Sequence, residues 1–355
     1  MGKHEDDLDS CYDQSWIGVA RSLEHVSPDL NLTILYQDRQ SWSQSSGIDK
    51  IIAEANYCKT NCGVVSYRQH RRYITAIKAL AAPDNQPARL KQGGVYLITG
   101  GLGGLGKNFA AYLAKTCKAK LMLTGRTKRN DQSEAVLQEL KTQGATEAKY
   151  YAVNVSHEQE LAQCLAEIQS TYGKLNGIIH AAGVGSQKTF ENRTEQDIAE
   201  VVNPKLQGTL LLDELTKAIP LDFVCYFSST SAILGDGGSC DYALANRFQI
   251  HYGSYRQALE AEGKRHGKTI VINWPLWSTE AGGMNFADEE QIKFYLQSSG
   301  QEALGLEEGL AAWQKFLAAD SGHYIFFKGQ EKRIKQFLDR IYEPYKKAEL
   351  LQIQL

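Results

Sequence analysis

The sequence predicts an α/β protein whose larger part is a doubly wound parallel sheet, preceded by a smaller α/β unit. From about residue 95 onward, apolar runs of strand length alternate with amphipathic runs of helix length. Such alternation is typical of parallel strands that carry helices on both faces. The first of these strands, 95–99, leads into a glycine cluster that ends at Gly106 and precedes a helical pattern. The chain before it has fewer elements and no glycine cluster.

Length and charge narrow the class of protein. At 355 residues the chain is long for one α/β domain, so two units are expected. The net charge of −2 gives no reason to expect a nucleic acid or an anionic membrane as partner. No apolar run approaches the roughly 20 residues that span a bilayer. The seven cysteines are scattered without zinc-ligand spacing, so we expect no metal site and a reducing, cytoplasmic compartment.

The smaller unit, 13–92, comes first in the chain. Residues 1–12 are polar and acidic, and we expect them to be disordered. Because the unit has no glycine loop, it has no visible means of binding a nucleotide. Its helices are predicted near 16–23 and 51–55, and its strands near 32–36, 64–68 and 72–77.

The glycine cluster fits two motifs at once. Gly101, Gly103 and Gly106 form G-x-G-x-x-G. The residues from Thr99 to Gly106 also fit the stricter motif T-G-x-x-x-G-x-G. The pattern predicts a strand, a tight turn and a helix whose N-terminus faces a pyrophosphate, because a Cβ would block the close approach of the ligand. The alternative is an ordinary glycine-rich turn between a strand and a helix. The residues expected to contact the cofactor here are Thr99, Gly101, Leu102, Gly103, Gly104, Leu105 and Gly106.

The remaining strands and helices complete one nucleotide-binding domain of the Rossmann-like kind. It spans 93–340, and 341–355 is predicted to be a C-terminal helix or linker. The further strands are predicted at 119–124, 148–153, 177–181, 222–228, 268–273 and 323–327. The helices are predicted at about 105–116, 132–143, 157–171, 194–217, 241–263 and 306–319.

The end of the second strand predicts which cofactor binds. A site for NAD usually places an acidic residue there, whereas this chain has Gly125 and Arg126. An arginine can bind the 2′-phosphate of NADP in bidentate fashion, so NADPH is the expected cofactor. The alternative is a solvated loop arginine.

The third and fourth strands supply further cofactor contacts. The amide of Asn154, next to Val155, could hydrogen-bond the adenine. The small residues Ala181, Ala182 and Gly183 would let the backbone approach the inner ribose. The neighbouring histidine, His180, lies between apolar residues, and we interpret it as a buried packing residue rather than a catalytic one.

Four residues make up a candidate reactive group. Lys205 lies within the predicted helical segment 194–217, and Ser229 follows the fifth strand, at the carboxyl edge where ligands bind. Tyr242 and Asn246 are four apart and therefore share one face of a helix.

The chain is similar here to the short-chain dehydrogenase/reductase superfamily, most members of which carry Tyr-x-x-x-Lys. The Asn after the tyrosine, with a lysine before it, resembles the ketoreductase domains of modular polyketide synthases.

Further segments extend this resemblance over residues 12 to 340. The smaller unit resembles the truncated Rossmann-like structural subdomain of those ketoreductases. The run from Asn273 to Trp277, followed by Gly282-Gly283-Met284, is similar to the trans-acyltransferase branch. The resemblance implies that Pro275 and Leu276 contact the cofactor. Such a chain would be one domain of a larger synthase.

The resemblance also implies a role for each reactive residue. Tyr242 would protonate the substrate carbonyl oxygen as a hydride arrives from the nicotinamide. A phenol with a pKa near 10 is a poor acid at neutral pH, and Lys205 would lower that pKa and contact the ribose. Ser229 would donate a hydrogen bond to the same oxygen, and Asn246 could hold a water that relays the proton.

The expected substrate is a β-ketoacyl thioester on the phosphopantetheine arm of an acyl carrier protein, and other domains of the same synthase are further partners. Paired glycines beside apolar residues suit a lid over the acyl chain, with Trp277, Gly283, Met284 and Phe286 as its residues. The alternative to a lid is a plain surface loop. The alternatives to a carrier-bound reductase are a stand-alone reductase of free carbonyl compounds and a catalytically silent structural domain.

Two departures from the family pattern concern stereochemistry and adenine binding. Gly185-Ser186-Gln187 stands where B-type domains carry Leu-Asp-Asp, which favours an A-type domain and an L-configured alcohol. However, Leu234 stands where A-type domains usually carry Trp. Asn154 replaces the usual Asp, which would loosen adenine binding slightly.

Overall fold

Over the residues that it describes, a computed structural model of the chain contains two sheets, one of three strands and one of seven. Each sheet belongs to one of the two predicted units. The residues that the structure describes are 7–27, 29, 32–37, 46–57, 63–68, 71–75, 77–79, 90–185, 188, 192–279, 289–319 and 322–339.

The smaller unit is an α/β layer with a mixed sheet. Strand β1 runs parallel to β2, and β2 pairs antiparallel with β3. Under the sheet, Glu54 of the second helix accepts hydrogen bonds from Tyr67 (2.7 Å) and Arg72 (2.6 Å), so the buried charge is paired. The elements are α1 (Leu8–Val26), β1 (Thr33–Gln37), α2 (Ser46–Tyr57), β2 (Gly63–Arg68) and β3 (Arg71–Ile74).

The first helix begins earlier than the sequence predicted. The side chain of Asp7 caps α1 by accepting a 2.7 Å hydrogen bond from the backbone N–H of Ser10. Cys11 is buried, at 1% exposure. The prediction that residues 1–12 are disordered is therefore wrong for residues 8–12, because a cap and a buried contact order them.

Helix α1 packs against the larger unit rather than against its own sheet alone. A Cβ at Gly18 would lie 2.6 Å from the backbone of Ala243, so α1 crosses the Ala243 helix of the larger unit at close range. The ring of Tyr12 packs on Phe248, with centroids 5.2 Å apart. The smaller unit thus supports the long helix that carries the predicted tyrosine.

The larger unit alternates strands and helices as predicted. Its strands are β4 (Val95–Thr99), β5 (Lys120–Gly125), β6 (Glu147–Ala152), β7 (Gly177–His180), β8 (Phe223–Ser229), β9 (Lys268–Trp274) and β10 (His323–Ile325). Its helices are α3 (Gly104–Cys117), α4 (Asp131–Thr142), α5 (Glu158–Tyr172), α6 (Glu195–Val202), α7 (Gln207–Thr216), α8 (Ser231–Leu234), α9 (Cys240–Ala261), α10 (Glu289–Ser299), α11 (Leu306–Ala318) and α12 (331–339).

The order of the seven strands places a crevice at one edge of the sheet. The order is β10-β9-β8-β7-β4-β5-β6, and every pairing is parallel. Successive strands move outward from β4 in one direction and from β7 in the other. Ligands of such sheets bind outside the carboxyl ends of the strands at this reversal point. The predicted fold class is confirmed.

The predicted helix 194–217 is interrupted. Helix α6 ends at Val202, a turn covers 203–206, and α7 begins at Gln207. Pro204 has no N–H with which to continue the helical hydrogen bonds, which explains the break. Lys205 therefore lies in a turn between two helices, and the prediction of a continuous helix there is wrong.

Both faces of the large sheet are buried. Every residue of β4 and β7 is buried, which is why their sequences read as unbroken apolar runs. On one face Phe109 and Trp313 pack edge-to-face, with centroids 5.3 Å apart. Among the described residues, no helix is long and apolar enough to cross a membrane.

Candidate active site

The glycine cluster forms a tight turn between β4 and α3. The N–H of Gly103 donates to the carbonyl of Gly100 (2.9 Å), and that of Gly101 donates to the carbonyl of Thr124 (3.0 Å). Gly100 has a φ of +66°, a conformation that favours glycine. A Cβ at Gly106 would lie 2.8 Å from the Cα of Gly101. The turn is therefore as tight as the motif predicted, and α3 begins within it at Gly104.

Arg126 lies at the rim of a cleft at the carboxyl end of β5. It is exposed, and it makes no ion pair or hydrogen bond with the part of the chain that the structure describes. The cleft has a volume of about 400 Å³ and is lined by residues that include Arg126, Asn154, Asn203 and Pro204. An uncompensated guanidinium beside a polar cleft is suited to bind a phosphate.

Asn154 stands in the same cleft, but its side chain already stabilises a turn. Its Oδ1 accepts a hydrogen bond from the backbone N–H of Ser156 (3.1 Å), and its Nδ2 lies 3.2 Å from Nε2 of His157. The polar atoms of Asn154 are thus oriented by their neighbours.

His180 is a packing residue, as its apolar neighbours indicated. It is fully buried, and its Nδ1 lies 2.6 Å from the hydroxyl of Thr99. Burial, and secondarily the charge of Lys205, lower its pKa to about 3. The hydroxyl of Thr99 also accepts from the N–H of Ala182 (3.2 Å), so this pair fixes the backbone where the cofactor ribose was expected.

Tyr242, Ser229 and Asn246 meet at the carboxyl edge of the sheet. The side chains of Ser229 and Asn246 lie near the Tyr242 hydroxyl, where both act to lower its pKa. Nδ2 of Asn246 donates to the backbone carbonyl of Tyr242 (2.8 Å). Oδ1 of Asn246 is buried and accepts no hydrogen bond from the described residues. The structure therefore brings together three of the four predicted reactive residues.

Lys205 approaches the group from the turn between α6 and α7. It is 3% exposed, and its Nζ donates to the carbonyl of Phe227 (2.5 Å) and to Oε1 of Gln249 (3.2 Å). Burial lowers the pKa of Lys205 to about 7. A Cβ at Gly183 would lie 2.8 Å from Cε of Lys205, so a larger residue there would displace the lysine side chain.

The expected effect of Lys205 on Tyr242 is not found. Burial raises the pKa of Tyr242 above its usual value, and the nearby side chains of Ser229 and Asn246 offset only part of that rise. The ammonium of Lys205 is directed at the Phe227 carbonyl and at Gln249 instead. The prediction that Lys205 depresses the tyrosine pKa is therefore wrong for this arrangement.

The predicted lid is described only at its first residue. Trp277 is 5% exposed, and its ring packs on Trp274 with centroids 5.0 Å apart, so it belongs to the core and not to a lid surface. Gly283, Met284 and Phe286 lie outside the described residues, as do Ser186, Gln187 and 341–355. Pro275, which is buried, and Leu276 follow β9 at the carboxyl edge, directly after Trp274, which pairs with Ser229.

Two polar side chains near the group were not singled out from the sequence. Gln249 contacts Lys205, and Arg193 forms a buried ion pair with Asp241, the residue before Tyr242. Gln249 lies seven residues after Tyr242, so helical spacing alone could have placed it on the same face. Nothing in the sequence pairs Arg193 with Asp241, which is 48 residues away.

These observations test whether a dinucleotide with a 2′-phosphate would fit. The glycine turn offers a backbone cradle that a Cβ would fill, and the helix α3 begins there. Arg126 offers an unpaired cation at the expected phosphate position. The residues present thus fit the cofactor that the sequence predicted.

Comparison with known proteins identifies the family. The KR domain family matches residues 94–279. The chain is 41% identical over 356 residues to polyketide synthase PksM of Bacillus subtilis. The alignment covers 99% of the chain and 8% of that protein. The chain is 38% identical over 276 residues to PksN of the same organism, which covers 77% of the chain and 5% of that protein. The chain thus spans less than a tenth of these relatives.

Solved structures show the same fold. A ketoreductase domain from the bacillaene assembly line has a TM-score of 0.84 at 30% identity, over 93% of this chain and 77% of that one. An N-terminal ketoreductase from the macrolactin assembly line has a TM-score of 0.76 at 32% identity, over 92% of this chain and 62% of that one. The chain belongs to the KR domain family: it is a ketoreductase domain of the polyketide synthase type, an oxidoreductase with the fold of short-chain dehydrogenases/reductases.

Proposed function

We propose that this domain reduces the β-keto group of a β-ketoacyl thioester to a β-hydroxyacyl thioester, with NADPH as the reductant. The proposed substrate is held on the phosphopantetheine arm of an acyl carrier protein, and the other partners are neighbouring domains of a synthase. The observation that carries the proposal is the meeting of Tyr242, Ser229 and Asn246 at the carboxyl edge of the sheet, with Lys205 buried behind them.

The protein's own residues would handle the proton and the developing charge. When bound, NADPH supplies the hydride. The phenol of Tyr242 is protonated at neutral pH, as an ordinary tyrosine is, so its hydroxyl can donate a proton to the substrate oxygen. Ser229 would donate a second hydrogen bond to that oxygen and stabilise the alkoxide as it forms.

Asn246 and Lys205 would support the proton donor. The buried Oδ1 of Asn246 is suited to accept a hydrogen bond from a water that returns a proton to Tyr242. Lys205 would contact the nicotinamide ribose through its ammonium, and Gly183 leaves the space that its side chain needs. Arg126 would bind the 2′-phosphate and select NADPH over NADH.

The rival functions differ in what they require of these residues. A catalytically silent structural domain would not need an intact set of four reactive residues, and here all four are present. A stand-alone reductase of free carbonyl compounds would not need the smaller unit whose helix α1 packs on α9. Carrier-bound β-keto reduction is therefore the function that the site supports best.

The test follows NADPH oxidation at 340 nm. Wild-type protein is given a β-ketoacyl-N-acetylcysteamine thioester and then a carrier-bound β-ketoacyl chain, and the alcohol is analysed for chirality, with the L-configured product expected. Tyr242→Phe should abolish turnover while NADPH binding stays nearly intact, because only the hydroxyl is lost. A Tyr242→Phe protein that keeps more than about a tenth of wild-type turnover would refute the assignment. Failure of the wild type to oxidise NADPH with any carrier-bound substrate would favour the silent domain.

A further inference from the structure

Gln249 lies on the same face of α9 as Tyr242 and Asn246, two turns from the tyrosine. Its side chain is fully buried, and its Oε1 lies 3.2 Å from Nζ of Lys205. The only other hydrogen-bond acceptor that this ammonium has among the described residues is the carbonyl of Phe227, at 2.5 Å. The Phe227 carbonyl belongs to the backbone of strand β8, so a side-chain substitution cannot remove it. Gln249 is therefore the acceptor of Lys205 that a substitution can change.

The orientation of the Gln249 amide is fixed from both ends. An ammonium can only donate hydrogen bonds, so the amide must present its oxygen to Lys205. Its Nε2 then donates to the hydroxyl of Thr209 (3.2 Å), which is fully buried on α7. Thr209, Gln249 and Lys205 thus form a chain of hydrogen bonds that leads from α7 through α9 to the reactive residues.

We propose that Gln249 is a positioning residue, whose amide oxygen, oriented by Thr209, holds the charged Lys205 side chain against Gly183, where the cofactor ribose is expected. This inference rests on the proposed function, because it assigns Gln249 a part in that same reduction. A buried ammonium with too few acceptors would lose its proton or leave its place. Burial already lowers the pKa of Lys205 to about 7, so each acceptor decides how much of the lysine is charged at neutral pH.

The other groups around Lys205 are uncharged, so Gln249 is the side chain that most affects the pKa of the lysine. From β7, His180 faces the lysine and is held neutral, with a pKa near 3. From β8 the contact is the uncharged Phe227 carbonyl, and from the loop after β7 it is Gly183. On α9 itself the titratable group on the same face as Gln249 is Tyr242, a phenol that is neutral at neutral pH. No carboxylate contacts the ammonium among the described residues.

The first experiment measures the lysine directly, without catalysis. The 13Cε signal of Lys205 in [13C]lysine-labelled protein, assigned by its loss in Lys205→Met, is titrated with pH. Gln249→Met removes the acceptor at similar volume and should lower the pKa of Lys205 by roughly one unit. Gln249→Glu should raise it by about 1 to 3 units, because a carboxylate then faces the ammonium. Thr209→Val should lower it, whereas the matched control Thr209→Ser, which keeps the hydroxyl, should leave it near the wild-type value.

The second experiment measures the pH dependence of kcat for thioester reduction in the same variants. The alkaline limb of the kcat profile should move to lower pH in Gln249→Met and to higher pH in Gln249→Glu. A merely structural role would not produce such opposite shifts. The inference is overturned if the Lys205 titration is the same in wild type, Gln249→Met and Gln249→Glu. If the titrations shift but the limb does not, Gln249 holds Lys205 as proposed and the role of Lys205 in the reduction is refuted instead.

Discussion

The ion pair between Arg193 and Asp241 gives the sharpest test of how the site is held together. The Arg193 guanidinium binds the carboxylate of Asp241 and also donates to the carbonyls of Lys188 (3.0 Å) and Gly238 (2.9 Å). It thereby joins the segment after β7 to the loop before α9. The same carboxylate accepts from the N–H of Tyr242 (2.8 Å), so this pair anchors the first turn of the catalytic helix.

The cost of removing Arg193 follows from the burial of its partner. The side chains of Arg193 and Asp241 are 0% and 3% exposed. Arg193→Met would leave a buried carboxylate without its cation, which typically costs about 3–5 kcal/mol of unfolding free energy. An exposed pair is worth far less. Lys217 and Glu214, at 54% and 58% exposure, are a matched control, and Lys217→Met should cost less than about 1 kcal/mol.

Urea unfolding followed by tryptophan fluorescence measures both variants. The double variant Arg193→Met/Asp241→Asn should be more stable than the sum of the single losses predicts, because the charge left unpaired in Arg193→Met is then absent. An Arg193→Met protein within about 1 kcal/mol of wild type would show that water or a rearranged side chain satisfies Asp241, and the argument for a buried anchor would fail.

Three further predictions concern the lysine, the cofactor and the glycine turn. Because the folded pKa of Lys205 is about 7, below the unfolded value, the unfolded chain binds more protons between pH 7 and 10. The stability of wild type relative to Lys205→Met should therefore rise with pH across that window, by on the order of 1 kcal/mol per pH unit. Urea unfolding at pH 7, 8 and 9 checks this, and a constant difference would contradict it. Arg126→Ala should raise the KM for NADPH by roughly 30- to 100-fold while that for NADH changes little, since only the 2′-phosphate contact is lost; equal effects in steady-state kinetics would refute the assignment. Gly106→Ala should destabilise the turn, because its Cβ would lie 2.8 Å from Cα of Gly101. A thermal midpoint within a degree of wild type, with unchanged NADPH affinity by fluorescence titration, would refute the close-packed cradle.

The large sheet could be predicted almost completely from the sequence. Its strands were placed within two residues of their observed ends, because the central strands, buried on both faces, are mostly apolar in sequence. The interruption at Pro204 was missed, although the residue type alone gives the reason. The start of α1 was missed because the acidic residues before Cys11 indicate a solvated terminus. Residues 8–12 are ordered by the Asp7 cap and by the packing of α1 on α9.

The four reactive residues were identified by spacing and family resemblance, but their electrostatics were not. From the sequence, Lys205 and Tyr242 were expected to interact directly. The acceptors that Lys205 uses, the Phe227 carbonyl and the Gln249 amide, are set by how three elements meet in space. The partner of Arg193 lies 48 residues away, and no local pattern encodes such a contact.

Helix α9 connects these findings, because one face of it carries the proposed proton donor, the proposed proton relay and the proposed lysine acceptor. Tyr242, Asn246 and Gln249 recur at intervals of four and three residues, so their relative positions are fixed by helical geometry. The helix itself is held at its first turn by Arg193 and along its length by α1 of the smaller unit. A displacement of α9 would therefore move all three side chains together relative to Ser229 and Lys205, which other elements hold. This geometry gives a physical reason for the smaller unit to precede the larger one: it supports the back of the helix whose front face forms the candidate site.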